Sequence, residues 1–311
     1  MEFNFNDFAK AFLSILFTGM PFLLFGTLFA GIVEAFVPSK VIKSSLPKNP
    51  VLAVIVSGFL GMILPMCECG VVAVLRRLIN KGLPVSCAVT YMLASPIVNP
   101  IVILSTYTAF TNQSQFPMTG ARIGMGYFIA VIVGLSLLRQ PAQKVLNQSV
   151  LFIPRSGLFK GGFARTETNL EMMSFSSKLR HALHCASVDF IDVAAFLVMG
   201  AGIAAIFNTA IPQTSLAVFA NDPFLSINLM IGMAIILCLC SSTDAFVAAS
   251  ITGFPNSAKL AMVVFGPMFD LKLLFLYLSV FRPFFIFRAV GIIYIVTLIG
   301  CYLLNFTSWF Q

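Results

Sequence analysis

The sequence predicts an all-α integral membrane protein of two inverted repeats, each with three transmembrane helices plus a re-entrant helical hairpin, eight to ten membrane segments in all. Three observations predict it. Of 311 residues, 59% are hydrophobic and only 10% charged, where a soluble domain carries roughly 25% charge. The apolar residues fall in runs near bilayer-spanning length, about 20 residues. Two interrupted apolar stretches in the first half recur, with their interruptions, in the second.

The elements follow in order. Met1–Lys10 is polar and mildly acidic, and the first apolar run outlasts the core of a cleavable signal peptide. Apolar segments run Ala11–Val33, Val51–Pro65, Val71–Ile79, Leu83–Phe110, Ile123–Leu138, Ile191–Ile211, Leu225–Leu237, Ala245–Thr252, Ala258–Phe281 and Phe284–Leu304. Val71–Ile79 makes a helix of about 14 Å, half of a hydrocarbon core roughly 30 Å thick. Ala245–Thr252 is equally short. Each follows a longer segment and a polar break, so each pair reads as a hairpin that dips into the membrane and returns.

Charge orders these segments. With residues 34–50 in the cytoplasm, Lys40, Lys43 and Lys48 lie inside, and the first hairpin returns there with Arg76, Arg77 and Lys81. Leu83–Phe110 crosses outward to an uncharged loop, Thr111–Gly120. Ile123–Leu138 leads back to Arg139, Lys144, Arg155, Lys160, Arg165, Lys178 and Arg180. Ile191–Ile211 goes out, the second hairpin opens and closes outside, Ala258–Phe281 returns to Arg282 and Arg288, and the last helix exits. This places 15 of the 19 basic residues inside, in keeping with the positive-inside rule. Lys10, Arg122, Lys259 and Lys272 are left over. The result is six full crossings, both termini outside the cytoplasm, and a multi-pass protein of the cell inner membrane. The chain divides into a first membrane repeat, 1–139, a basic cytoplasmic loop, 140–180, and a second, inverted repeat, 181–311. Pro154–Gly162 reads as a flexible linker within the loop.

A shift of 171 residues (238 − 67) lays "CECG" (67–70) on "CLCS" (238–241). The same shift lays "GLPVS" (82–86) on "GFPNS" (253–257), and "SPIVN" (95–99) on "GPMFD" (266–270). Three crossings per half invert the second half against the first, as the charge count separately requires. Inverted repeats with interrupted helices point to a substrate site near the bilayer midplane.

Cys67, Cys69, Cys238 and Cys240 sit at the two hairpin tips, and four thiols there suit a soft species, a trivalent arsenical or a soft metal ion. As packing residues they would be small buried hydrophobes. Asn99 and Ser242 are further substrate-binding candidates. Asp244 and Asp270 are intramembrane carboxylates, costly and functional by default, and suit proton coupling or cation binding. A purely structural reading pairs Asp270 with Asn99 or Lys272, although two residues along a regular helix Lys272 would face elsewhere. Glu68 is a weaker candidate, since its repeat mate is Leu239. Pro96, Pro100 and Pro267 interrupt helices and free carbonyls, which persist in a bilayer only when covered by protein or a wet cavity. His181, His184 and Cys185 share a helix face before a crossing, and read more simply as part of an interfacial helix.

"PMCECGVVAVLRRLINKGLPVSCAVTYMLASPIVNPIVILSTY" (65–107) resembles the signature of the predicted permease family that includes ArsP, the bacterial organoarsenical efflux permease. "SSTDAFVAASI" (241–251) with "LAMVVFGPMFDLK" (260–272) resembles that family's second signature. The resemblance implies an inner-membrane permease without its own ATPase. It also implies that Cys67 and Cys69, and by symmetry Cys238 and Cys240, handle thiol-reactive arsenicals. The leading functional expectation is ion-coupled export of a soft, thiol-reactive solute. The alternative is a transmembrane thiol–disulfide relay using the paired Cys-x-Cys motifs. No nucleotide-binding loop, haem motif or Ser-His-Asp arrangement is apparent, so no enzyme activity, cofactor or nucleic-acid partner is expected. The expected partners are the bilayer, a small solute or ion, and a second copy of the chain in a homodimer. The topology predicts that cysteines introduced at Ser114 and Ser156 label from opposite sides of the membrane. Equal labelling of both from outside would overturn it.

Overall fold

The structure is a computed structural model that describes residues 5–36, 47–63, 66, 68–110, 115–147, 175–210, 222–251 and 253–306. The first half comprises α1 (Phe5–Phe36), α2 (Pro50–Gly58), α3 (Leu60–Ile63), α4 (Glu68–Asn80), α5 (Val85–Val98), α6 (Pro100–Ala109), α7 (Gln115–Ser136) and the short α8 (Ala142–Val145). The second comprises α9 (Phe175–Ala210), α10 (Pro223–Leu237), α11 (Asp244–Ser250), α12 (Asn256–Phe265), α13 (Leu271–Leu278) and α14 (Pro283–Leu304). Among the described residues the regular structure is helical, with an isolated antiparallel bridge between Leu146 and Phe281. The loop segment 148–174, with its expected linker, lies outside the described residues.

Among the described residues, five helices are long and apolar enough to cross a membrane: Phe8–Ile32, Val85–Ala109, Phe116–Ser136, Ser176–Ile203 and Pro283–Leu304. The sixth expected crossing, Ala258–Phe281, divides into α12 and α13. Pro267 withholds a backbone donor there, and Asp270, extended at φ −140° and ψ 178°, caps a new helix. The matching interruption in the first half spans one residue, Asn99, so Val85–Ala109 still reads as a single span.

Helix starts have a shared local cause. Asn49, Asn99 and Asp222 each cap a helix whose first residue is proline, and each side chain accepts from the backbone N–H two residues on. Such caps satisfy an orphan donor, and proline at the first position loses nothing because its missing N–H has no helical partner. Asp270 does the same for α13, with Oδ1 accepting from Leu273 N at 2.7 Å. Asn99 and Asp270, paired by the 171-residue shift, therefore perform the same backbone task.

The α1 and α9 helices form the most extensive pairing in the bundle. Phe12 lies against Gly202, Gly19 against Leu197, and Gly31 against Ala182. The numbers rise on α1 as they fall on α9, so the two helices run antiparallel. At Gly31 a Cβ would fall 2.3 Å from the Ala182 carbonyl oxygen, and only glycine permits that approach. The α4 helix is buried from Glu68 to Leu75, and packs against α1 and α5. Contacts cross between halves in exchanged pairs: α6 meets α11, and α13 meets α4. On the other side, Asn147 N donates to Val280 O at 2.8 Å and Arg282 N to Val145 O at 3.0 Å, which straps the chain after α7 to the α13–α14 junction.

Gly200 on α9 tests this packing, because a Cβ there would lie 2.8 Å from the Lys272 Cα. Gly200→Val is expected to destabilise the protein by about 1–3 kcal/mol through overpacking. Gly291→Ala, where the added Cβ meets nothing within 4 Å, is expected to be neutral or slightly stabilising. Thermal melting of both in detergent checks this, and equal melting of the two variants would contradict it.

Candidate functional site

The broken helices converge on two buried ion pairs, each joining one half of the chain to the other. In the first, Lys272 on α13 donates from Nζ to Glu68 Oε1 on α4 at 3.0 Å. The same ammonium donates to the carbonyls of Cys238 at 3.1 Å and Leu239 at 3.2 Å, and lies 3.4 Å from Asp270 Oδ2. In the second, Arg122 on α7 donates to both carboxylate oxygens of Asp244 on α11, at 2.8 and 3.0 Å. Arg122 also donates to Ser241 O at 2.9 Å and to Thr106 Oγ1 at 2.6 Å. Ser241 links the two groups, because its hydroxyl donates to Glu68 Oε2 at 3.0 Å.

Lys272 reaches these partners because of the breaks. The α10 helix ends at Cys238, which adopts the left-handed conformation (φ 50°, ψ 42°), an unusual and strained one for a residue with a Cβ. The chain then runs unwound through Leu239 and Cys240 before α11. Carbonyls freed by such a break need donors in a water-poor interior, and a cation is favoured at a helix C-terminal end. Lys272 meets both needs. The expectation that Lys272 faces away from Asp270 fails for a local reason: Asp270 is the extended cap and not a helical residue, so helical spacing does not govern the pair.

A cavity of about 170 Å³ adjoins the first group, lined by Glu68, Cys69, Cys238, Cys240, Thr243 and Lys272, with Ser14 of α1 and Leu197 of α9 on its far side. It has room for roughly five waters or a small solute. Three of the four sequence-selected thiols thus share one cavity, while Cys67 lies outside the described residues. Ser242 donates to Cys240 Sγ at 3.7 Å. Asn99 caps α6, directs its amide toward Met66 O at 3.5 Å, and does not line the cavity. Asp244 and Asp270 are both buried in the charged groups beside it. Among the described residues, no group of three or more His, Cys, Asp or Glu is arranged to hold a metal ion. Of the His181, His184, Cys185 set, only His181 and Cys185 approach each other, at 3.6 Å, and His184 is exposed.

The sequence reading set Glu68 below the aspartates, gave Lys272 only a structural pairing with Asp270, and assigned no role to Arg122, and the structure brings all three into the buried ion pairs. Repeat symmetry misjudged Glu68, whose partner comes from α13 and not from its own mate. The signal for the cations was present: Arg122 and Lys272 are two of the four basic residues that the charge count could not place inside.

A bundle whose broken helices gather buried ionisable side chains beside a cavity, within helices long enough to span a bilayer, has the architecture of a membrane permease. The chain belongs to the ArsP_1 family of predicted permeases, whose sequence pattern matches residues 4–306. It is 33% identical over 303 residues to UPF0718 protein YcgR of Bacillus subtilis, covering 97% of this chain and 98% of that protein. It is also 30% identical over 292 residues to a Streptococcus mutans protein named as a putative two-component membrane permease complex subunit, covering 93% of this chain and 92% of that protein. No solved structure matches.

The Arg122–Asp244 pair yields a quantitative expectation. Arg122→Gln strands a buried carboxylate and is expected to cost about 3–5 kcal/mol, whereas Arg122→Gln with Asp244→Asn costs less than the single change. Melting of the two singles and the double in detergent measures the coupling. Losses that simply add would show that the pair does not interact.

Proposed function

We propose that the protein is an ion-coupled secondary transporter that exports a soft, thiol-reactive solute, a trivalent arsenical or a soft metal ion, across the inner membrane. The observation that carries this reading is the shared cavity, where three thiols from both breaks face one space beside buried carboxylates. Thiols are soft ligands that select such solutes, and a buried carboxylate beside them such as Asp270 supplies a group that a driving ion can neutralise. A thiol–disulfide relay would have little use for these buried charges.

The same reading takes 1–139 and 181–311 as repeats of inverted topology joined by a cytoplasmic loop, 140–180. Three features support it: antiparallel α1 and α9, matching caps at Asn99 and Asp270, and contacts exchanged between α6–α11 and α4–α13. The short α4 and α11 are then the membrane ends of re-entrant hairpins, and both termini lie outside. Alternating access follows by rocking one repeat against the other around a fixed site. The permease works in a complex, with a second copy or a dissimilar subunit, in keeping with the Streptococcus mutans relative named as a putative two-component membrane permease complex subunit.

Purified protein in vesicles provides the test. Cys69→Ser, Cys238→Ser and Cys240→Ser each keep volume but replace a soft ligand by a hard one, and each is expected to lower flux of a trivalent arsenical about tenfold or more while a hard oxyanion control is unaffected. Unchanged arsenical flux in the triple variant would eliminate the thiol site. Loss only of electron transfer across the vesicle would favour the relay.

A further inference from the structure

We infer that Glu68 and Asp270, arranged around the Lys272 ammonium, form the site of one exchangeable monovalent cation, a proton or Na⁺, while Asp244 stays committed to Arg122. The inference deepens the proposed ion coupling and rests on it for its role in transport, but the binding itself stands on charge and geometry.

The connected network holds three carboxylates, Glu68, Asp244 and Asp270, against two cations, Arg122 and Lys272. All five are at most 3% exposed. Fully ionised, the network carries a surplus of one negative charge (3 − 2 = 1). An uncompensated charge buried in a membrane interior is strongly disfavoured, so a further positive charge completes the set. The geometry locates it. Asp244 has a full partner of its own, with both oxygens held by Arg122. Glu68 and Asp270 share one ammonium. Asp270 Oδ2 accepts no hydrogen bond although the residue is 1% exposed, and has only that ammonium at 3.4 Å. Its other oxygen is spent on the α13 cap.

Access agrees with this division. Glu68 and Lys272 line the cavity, and Arg122 and Asp244 do not. A solute entering the cavity therefore meets Glu68 and the ammonium that Glu68 shares with Asp270, and not the closed pair. Among the described residues, the other ionisable groups around Glu68 and Asp270 are Cys69 on α4, Cys238 and Cys240 in the break, Asp244 and Arg122 beyond Ser241, and Tyr277 on α13, whose hydroxyl donates to Met268 O. From α9 and α1 the facing residues are Gly200, Leu197 and Ser14, which carry no charge. A surplus of one calls for a monovalent cation, and a proton and Na⁺ share the required chemistry.

The test uses purified full-length protein in nanodiscs, with two probes that separate the sources. Infrared titration of the protonated-carboxyl band reports a proton, and equilibrium binding of radioactive sodium reports Na⁺. One proton or one sodium per chain is expected. Glu68→Gln and Asp270→Asn are each expected to lose it, and the paired Arg122→Gln, Asp244→Asn variant to keep it. Retention in both single variants, loss in the paired variant, or neither signal in the unaltered protein overturns the assignment. Should a single variant fail to fold, Glu68→Gln with Lys272→Met removes one charge of each sign and is expected to retain one cation at Asp270; its absence from that folded variant also overturns the assignment. Solute flux in vesicles is scored separately: cation binding without any flux would sink the transporter reading and leave the cation site standing.

Discussion

A charge taken out of water into a low-dielectric interior must find partners, and in this protein Lys272 meets that constraint for much of the surrounding structure. Its ammonium satisfies two carbonyls released where α10 ends, balances Glu68 from the other half of the chain, and stands beside the carboxylate that caps α13. Remove it, and an unwound backbone, a buried Glu68 and a helix cap all lose their compensation together. The left-handed Cys238 and the close passage of Gly200 over the Lys272 Cα are what bring these groups within reach.

Both buried ion pairs run between halves, α4 to α13 and α7 to α11. Apolar packing in a lipid environment gives little preference for one partner over another. Directional pairs do, because a misplaced carboxylate is left bare. The two pairs therefore act as register marks for the assembly of the halves, in addition to any part they take in moving solute.

Much of this was legible in the sequence. The apolar segments and their interruptions anticipated described helices and breaks, and the 171-residue shift matched Asn99 with Asp270, read in the sequence as a substrate-binding and a coupling candidate and found in the structure to cap α6 and α13. What stayed hidden was partnership. Helical spacing separated Lys272 from Asp270, because nothing local showed that Asp270 would be extended. Glu68 was discounted by comparison with Leu239, yet its partner came 204 residues away. Arg122 sat in an apolar helix with no neighbour in sequence to explain it, and Asp244 reached it only through the fold. Long-range pairing of single charges leaves no periodic trace, whereas caps and breaks do.

The strap between Val145–Asn147 and Val280–Arg282 has a consequence for the long connection that follows it. The chain leaving α7 is moored to the second half before that connection begins, and α9, where the second half starts, is zipped along α1. The two halves are thus held by contacts on both sides of the connection, and covalent continuity between them adds little to their association. On that basis the connection is free to vary in length, to accept an inserted module, or to be severed, leaving two fragments that remain one molecule.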